Sequence, residues 1–438
     1  MHLLRIESRS IDGTAEAVDL GQSPADIVAL SFTDTDLAVL AAAWEAGQGT
    51  LPSLRLASLA SLRHPYSVDL YADKVLSKAR FVLVRLLGGM DYWRYGVDEL
   101  ANLARSSGFH LAIVSGDHRI DERLDEASTL PTEALRRIGA YFAAGGVENI
   151  AACLRFAAGY FSPQPVPPAA VPVPSFGFFP AAMRSAPDAA RSALIVFYRA
   201  AMLAADTAPV EALAQALAFR GFRVAAVYVT SLKDETATVP LRAHLAAKRP
   251  DVILNLTAFS ARLDAGGSVL DTAGAPVFQV ALSGGSQPQW AASQRGLGPA
   301  DLAMNVVLPE LDGRIIAGAI SFKAETQRNA MLEFTRLVHQ PEPDGIAHAA
   351  DLAMGWADLA RTPRAARRLA CVLSDYPAKA GRTGYAVGLD TPRSVIAIAQ
   401  RLAQERYGVE LVHDEAALAT ALSSDKQATS VMAALRPP

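Results

Sequence analysis

Cysteine is almost missing from this chain: Cys153 and Cys371 are the 2 present in 438 residues, far apart and without a Cys-x-x-Cys companion. That excludes a disulfide scaffold and a zinc-finger framework, and it suits a reducing compartment. Charge of one sign is also missing. Lys plus Arg number 41 against 44 Asp plus Glu, a formal net charge of -3, so there is no polybasic surface for nucleic acid or an anionic membrane. No apolar run reaches the length of a membrane span, and MHLLRIESRS lacks the basic start and apolar core of an export signal. A soluble cytoplasmic protein is expected. No G-x-x-x-x-G-K-[ST] occurs, and no G-x-G-x-x-G follows a strand, which leaves ATP without a phosphate cradle and a dinucleotide without its turn. LSGG followed by Gln resembles the signature of transporter ATPases, but the missing phosphate loop rules that reading out. The 8 histidines show neither H-E-x-x-H nor metal-ligand spacing, so no metal ligand set is read.

What is present is apolar and rhythmic. With 51% hydrophobic residues the chain can bury several cores, and it is expected to divide into about two to four units. Ile27–Phe32, Phe81–Leu87 and Leu111–Ser115 are short apolar runs separated by helix-like stretches at Thr35–Trp44 and Val97–Arg105. Runs without alternation are strands buried on both faces, and helices between them predict a parallel sheet. This first α/β unit covers 1–130. In 131–161, Leu135, Ile138 and Phe142, then Ile150, Leu154, Ala157 and Phe161, fall at helical spacing and predict a hairpin broken at Gly145-Gly146.

The segment 162–191 has 7 prolines before residue 181, which bars helix and predicts an extended connector packed on a surface through Phe176, Phe178 and Phe179. A second α/β unit follows over 192–323, with strands at Ala193–Tyr198, Val224–Val229, Val252–Leu256 and Val277–Leu282. Its helices run from a cap at Asp206 or Thr207 to Phe219 and over Leu241–Lys248. The segment 324–365 is predicted helical over Glu325–His339 and Ile346–Arg361. From 366 to 438 a third, incomplete α/β unit is expected: strands at Leu369–Leu373 and Val409–Val412, and between them a helix capped by Asp390 or Thr391 with Pro392 in its first turn. The fold class is therefore α/β, with several parallel-sheet units and helical connections.

Ligands of open parallel sheets bind outside the carboxyl ends of the strands. LLGGMDYWRYG, Leu86–Gly96, stands at such an end: Gly88-Gly89 permits close backbone approach, Tyr92, Trp93 and Tyr95 offer flat faces, and Arg94 a cation. That mixture suits a large, planar, carboxylate-bearing ligand. It equally suits a tight turn whose aromatics pack on a neighbouring element. QVALSGGSQPQW, Gln279–Trp290, is a second polar, glycine-rich strand end. In LPELDGRI, Leu308–Ile315, an Asp312-Gly313 turn gathers Glu310, Asp312 and Arg314, either as a surface ion pair or as a partly buried site.

LLGGMDYWRYGVDEL, YFAAGGVENI, GLDTPRSV and above all FQVALSGGSQPQWAASQRGLGPADLAMNVVLPELDGRIIAGAISFKAET resemble the large subunit of aerobic cobaltochelatase, the CobN type, itself similar to the large subunit of magnesium chelatase. The resemblance extends over essentially the whole chain and corresponds to the amino-terminal part of a longer family polypeptide. It implies an ATP-dependent metal chelatase that inserts cobalt(II) into hydrogenobyrinic acid a,c-diamide on the route to vitamin B12. Two AAA+ motor-type partner subunits would hydrolyse the ATP. With it, Tyr92, Trp93, Arg94, Tyr95, Gln279, Ser283, Trp290 and Arg314 are expected to enclose the macrocycle, and Glu310 to act as base or cobalt-attracting anion. Arg314 would pair with a ring carboxylate. A second reading stands beside it: a non-catalytic ligand-binding or docking module of a related magnesium-chelatase-type complex, its two α/β lobes hinged about a ligand.

Overall fold

The computed structural model describes residues 17–117, 121–163, 165–186, 188–263, 266–373, 388–411 and 414–422. The amino-terminal stretch MHLLRIESRS and Val412 lie outside them. The chain divides into two compact units, Met1–Ala353 and Met354–Pro438.

In the first unit, β1 (Ile27–Ser31), α1 (Asp34–Ala46), β2 (Leu54–Ser58), α2 (Pro65–Lys74), β3 (Phe81–Leu86), α3 (Arg94–Ser107) and β4 (His110–Ser115) alternate, with β1, α1, β3, α3 and β4 where the apolar runs and helix-like stretches predict them. The strands pair in the order β2-β1-β3-β4, all parallel, so the chain reverses its direction of travel between β1 and β3. β1 and β3 are buried at every position because helices cover both faces. α1 starts where the Thr33 side chain accepts from the Asp36 N–H, and α3 stops where Gly108 takes φ 76°. A short α4 (Glu122–Ala127) precedes α5 (Thr132–Ala144) and α6 (Val147–Ala158), broken at Gly145-Gly146 as expected. α5 and α6 do not stand apart. With α1 they bury Ile138, Tyr141, Ile150 and Leu154 against one face of the sheet, while Val97 and Leu100 of α3 cover the other.

The proline-rich connector is extended and packed, as predicted. Pro167 and Pro168 carbonyls accept from Arg137 and Tyr141, and Asn149 exchanges two hydrogen bonds with the Val171 backbone at 2.9 Å each. It contributes β5 (Phe176–Phe178) and β6 (Arg184–Ser185), both antiparallel to a strand of the next sheet.

The second sheet is built from β7 (Arg191–Tyr198), α7 (Arg199–Leu203), α8 (Ala208–Phe219), β8 (Phe222–Val229), α9 (Glu235–Ala247), β9 (Val252–Asn255) and β10 (Val277–Leu282). Beyond β10 come α10 (Gln287–Ala292), α11 (Pro299–Leu302), a π-helical turn at Ala303–Val307, α12 (Leu308–Glu310), β11 (Ile315–Glu325), β12 (Leu337–Pro341) and α13 (Pro343–Arg361). The order is β12-β11-β10-β9-β7-β8-β5, with β8, β7, β9, β10 and β11 parallel and the edges antiparallel. Its reversal point lies between β7 and β9.

The helix expected over Glu325–His339 is not formed. That segment is the end of β11, a turn bridged between Asn329 and Phe334, and β12. The open edge of β11 needs a ladder partner, and β12 supplies it from Ser321↔Pro341 to Glu325↔Leu337. Among the elements the periodicity does not announce are β2, α2, β11 and β12.

In the second unit, α14 (Thr391–Gln404) begins as predicted, with the Asp390 side chain accepting from the Arg393 N–H at 3.1 Å, and α15 (Glu415–Leu422) follows. The strands expected at Leu369–Leu373 and Val409–Val412 are corrected: residues 369–373 and 409–411 are not strand. Among the described residues of this unit there is no neighbouring strand to receive their backbone groups.

Candidate functional site

At the carboxyl end of the first sheet, β3 stops at two glycines with φ of 92° and 76°, a region that favours glycine. A Cβ on Gly88 would stand 3.2 Å from Tyr92 Cβ, so the turn folds back on its own aromatic. Trp93 turns inward. It is 5% exposed, its Nε1–H donates to the Leu62 carbonyl at 2.8 Å, and Gly96 leaves the space its ring occupies. Tyr92 and Tyr95 stay half-exposed on the outside. Tyr92 meets Phe32 edge-on at 5.0 Å and its hydroxyl accepts from Arg63 at 3.1 Å. Tyr95 donates to Asp69 at 2.7 Å, and that bond, with some desolvation, pushes its phenol up to about 12. Arg94 is exposed between Asp91 and Asp98, 3.6 and 4.0 Å away.

Beneath this turn lies a buried pair that the sequence reading missed. Arg85 of β3 has its Nε 3.3 Å from Asp36 and its guanidinium 4.3 Å from the centre of the Phe142 ring. Ser31 at the end of β1 donates to the same Asp36 carboxylate at 2.8 Å. The available signal was a cation inside FVLVRL, a run otherwise apolar: a buried charge needs a partner.

At the carboxyl end of the second sheet, Gln279 is 1% exposed and fully engaged. Its Nε2 donates to the Thr257 carbonyl and its Oε1 accepts from Asn255, both at 2.8 Å. Tyr198 donates across the β7/β9 reversal point to the Ala258 carbonyl at 2.8 Å, and burial pushes its phenol up to about 12. Ser283 is also buried; it donates to Asp301 at 2.7 Å, and the same carboxylate accepts from the Gly284 N–H at 3.0 Å. Trp290 of α10 is partly exposed, with its ring 5.1 Å from that of Phe322.

The Asp312-Gly313 turn keeps Asp312 and Arg314 together, 4.0 Å apart with both side chains enclosed, and sends Glu310 outward. Arg314 is buried, with Nη1 donating to Asp271 at 2.7 Å, Nη2 4.0 Å from the Asp312 carboxylate, and neither Nε nor Nη2 hydrogen-bonded among the described residues, so the expected pairing with a ring carboxylate is corrected. Asp312 accepts from the Ser260 hydroxyl at 2.5 Å and the Ala261 N–H at 2.7 Å. Glu310 faces outward, and nothing described bonds its carboxylate. At the far end of β11 lies a second unforeseen cluster, in which Asp206 receives Lys323 at 2.8 Å and the His339 ring at 2.7 Å. Burial alone would raise the Asp206 carboxyl; the His339 hydrogen bond and the adjoining positive charge outweigh it and hold it well below the ordinary range.

The predicted residues thus fall in three places: Tyr92–Tyr95 on the first sheet, Ser283 and Trp290 at the carboxyl end of β10 and β11 with Gln279 inside β10, and Glu310 and Arg314 before the amino-terminal end of β11. No hydrogen bond, ion pair or ring contact among the described residues joins them. Within each group the outward residues present aromatic and ionic surface, while Trp93, Gln279 and Ser283 stiffen the loops behind. Among the described residues no cluster of three or more His, Cys, Asp or Glu is placed to hold a metal ion, and no helix is long and apolar enough to cross a membrane.

Two doubly wound α/β sheets in series, each with loops at the carboxyl ends of its strands, define a tandem fold of the α/β class. The CobN/Magnesium Chelatase family model matches residues 139–436, and the chain belongs to that family. It is 41% identical over 429 residues to the aerobic cobaltochelatase subunit CobN of a Sinorhizobium species, covering 93% of this chain and 34% of the relative. With the CobN subunit of Pseudomonas aeruginosa it shares 36% identity over 421 residues, 94% of this chain and 34% of the relative. The solved catalytic subunit of cobaltochelatase from Mycobacterium tuberculosis superposes with a TM-score of 0.69 at 28% identity, over 90% of this chain and 32% of that one. The chain therefore spans about a third of the length of the relatives it matches.

Proposed function

We propose that this chain contributes tetrapyrrole-facing surface to a CobN-type large subunit that inserts cobalt(II) into hydrogenobyrinic acid a,c-diamide, a step toward vitamin B12, in the cytoplasm. The observation that carries the reading is the 41% identity to a CobN subunit along 93% of this chain. Two AAA+ motor-type partners hydrolyse the ATP, in keeping with a sequence that has no phosphate loop.

Metalation demands that ring nitrogens lose protons, that the macrocycle distort, and that the ion shed water. Flat, apolar-faced ligands are held by aromatic surfaces, which Tyr92 and Tyr95 present on the first sheet and Trp290 presents, apart from them, on the second. Arg94 is an exposed cation for a peripheral carboxylate. The guanidinium of Arg314 is enclosed between Asp271 and Asp312, so Arg314 positions the turn beside Glu310 and does not itself reach a ring carboxylate. Glu310, exposed and unengaged, is the local base or cobalt-attracting anion.

The test is titration with hydrogenobyrinic acid a,c-diamide, following its visible absorption and tryptophan emission, in the wild type and in Trp290→Phe. Binding with emission quenching that Trp290→Phe diminishes supports the assignment. Glu310→Gln and Arg314→Ala, assayed in the full-length subunit with its motor partners, should lower chelation. If both leave tetrapyrrole affinity and chelation unchanged, the site assignment is wrong. Binding by a longer chain but not by this one would favour the docking role.

A further inference from the structure

In sequence the two α/β lobes of the first unit are joined by the proline-rich connector. The structure adds a second link. Residues 326–336, the tip of the β11–β12 hairpin, leave the second sheet and enter the first lobe. Leu332 is 0% exposed and belongs to the core that Ile27, Leu54, Phe81 and Leu154 form there. Around it the tip is bonded on both sides. Asn329 donates to Glu45 of α1 at 2.9 Å, and Arg336 approaches the same carboxylate at 3.4 Å. Glu333 accepts from the Ser23 N–H at 2.7 Å and its hydroxyl at 2.6 Å, and pairs with Arg55 at 3.0 Å. Arg55 is itself buried and also donates to the Met331 carbonyl at 2.8 Å. The base of the hairpin is fixed as well, since Asp206 grips His339 of β12 and Lys323 of β11 together.

We propose that this hairpin is a strut that makes the two lobes one rigid body, so that ligand capture by this chain does not proceed by closure of one lobe on the other. Lobes joined by one linker and a small polar interface move by default. Here separation would expose Leu332, which is more at home in the other lobe than in its own, and would leave the buried Arg55 guanidinium without its carboxylate. Glu333 holds φ 49°, a backbone state that persists only where surrounding contacts over-determine it. The strut also fixes orientation. It departs from the carboxyl end of β11 and lands beside Arg55 of β2 and Glu45 near the end of α1, which is the amino-terminal edge of the first sheet. At this contact the carboxyl mouth of the second sheet is turned to the back of the first sheet, away from the Gly88-Gly89 turn. The inference is independent of which ligand the mouths receive.

The test is a distance measurement between spin labels on cysteines placed at Ser106 in the first lobe and Lys233 in the second, both exposed, with the exposed Cys371 changed to Ser. The wild-type strut should give one narrow distance distribution. Glu333→Ala, and more strongly Leu332→Ala, should broaden it by about twofold or more as the lobes gain freedom. The Glu333 variant keeps the core residue and guards against simple unfolding. A broad or two-peaked distribution in the wild-type strut, or a folded Glu333→Ala, Leu332→Ala double variant that stays as narrow, would overturn the proposal.

Discussion

His339 meets Asp206 twice: its backbone N–H donates to Oδ1 at 2.8 Å while its ring Nδ1 lies 2.7 Å from Oδ2. One carboxylate from the turn before α8 thus satisfies the outer edge of β12 and fixes an imidazole on it. Thr207, at the start of α8, makes no side-chain cap of its own.

That clamp sets an acid dependence. The Asp206 carboxyl is held below its ordinary value in the folded state, so its contribution is complete above the unfolded pKa of about 3.9 and is lost as pH falls through the lower folded value. Asp206→Asn should cost about 2 kcal/mol near neutral pH, because Lys323 and His339 lose a charged acceptor. In urea titrations the gap between wild type and variant should hold from about pH 7 to 5 and narrow below about pH 4. A gap unchanged at pH 3 would contradict the assignment.

Arg85 and Asp36 form the most buried ion pair of the first mouth, their side chains 4% and 16% exposed. Asp36→Ala should destabilise by about 3 kcal/mol because it leaves a buried guanidinium without its carboxylate, with only the Ser115 and Gly116 carbonyls as acceptors among the described residues. Adding Arg85→Met should recover part of that loss. A double-mutant cycle in denaturant measures the coupling, and additive effects would show the pair to be energetically idle.

Leu332→Ala should lower stability by about 2–5 kcal/mol, the range for a leucine lost from a packed core. It is fully buried although it belongs to a surface turn by sequence. Denaturant midpoints decide the matter; a loss below about 1 kcal/mol would mean the site is only loosely filled.

The two thiols should differ sharply. Burial pushes Cys153 up to about 12, so at pH 8 it is neutral and shielded, whereas Cys371 is exposed. Alkylation of the native chain should modify Cys371 and reach Cys153 only after denaturation, as read by peptide mass spectrometry. Rapid native labelling of Cys153 would place it outside the core described above.

Much of this fold was legible locally. The runs at Ile27, Phe81, Leu111, Ala193, Val252 and Val277 became parallel strands because a strand covered on both faces must be apolar at every position, and that is visible in a row of letters. The break at Gly145-Gly146 and the Asp390 cap are likewise properties of a few adjacent residues. LRLAS escaped notice because Arg55 interrupts its apolar pattern; acceptors remote in the chain, the Glu333 carboxylate 278 positions away with the Ser23 and Met331 carbonyls, make that arginine tolerable inside. The aromatic turn was found, but which of its rings would face outward was not, since Gly96 and the Leu62 carbonyl draw Trp93 inward. Glu310 and Arg314 looked alike as neighbours of one turn and were parted by Asp271 and the surrounding burial.

The sequence by itself determined the family, through the resemblance of motifs such as the block from Gln279 to Lys323, and it determined the α/β class and the positions of the glycine-rich strand ends, because these two follow from composition, period and short-range backbone geometry. Only the tertiary structure decided that 325–339 is a hairpin and not a helix, and that its tip lodges in the other lobe. The reason is physical: a ladder partner for β11 and a pocket for Leu332 are supplied by residues remote in the chain, and no local periodicity encodes them.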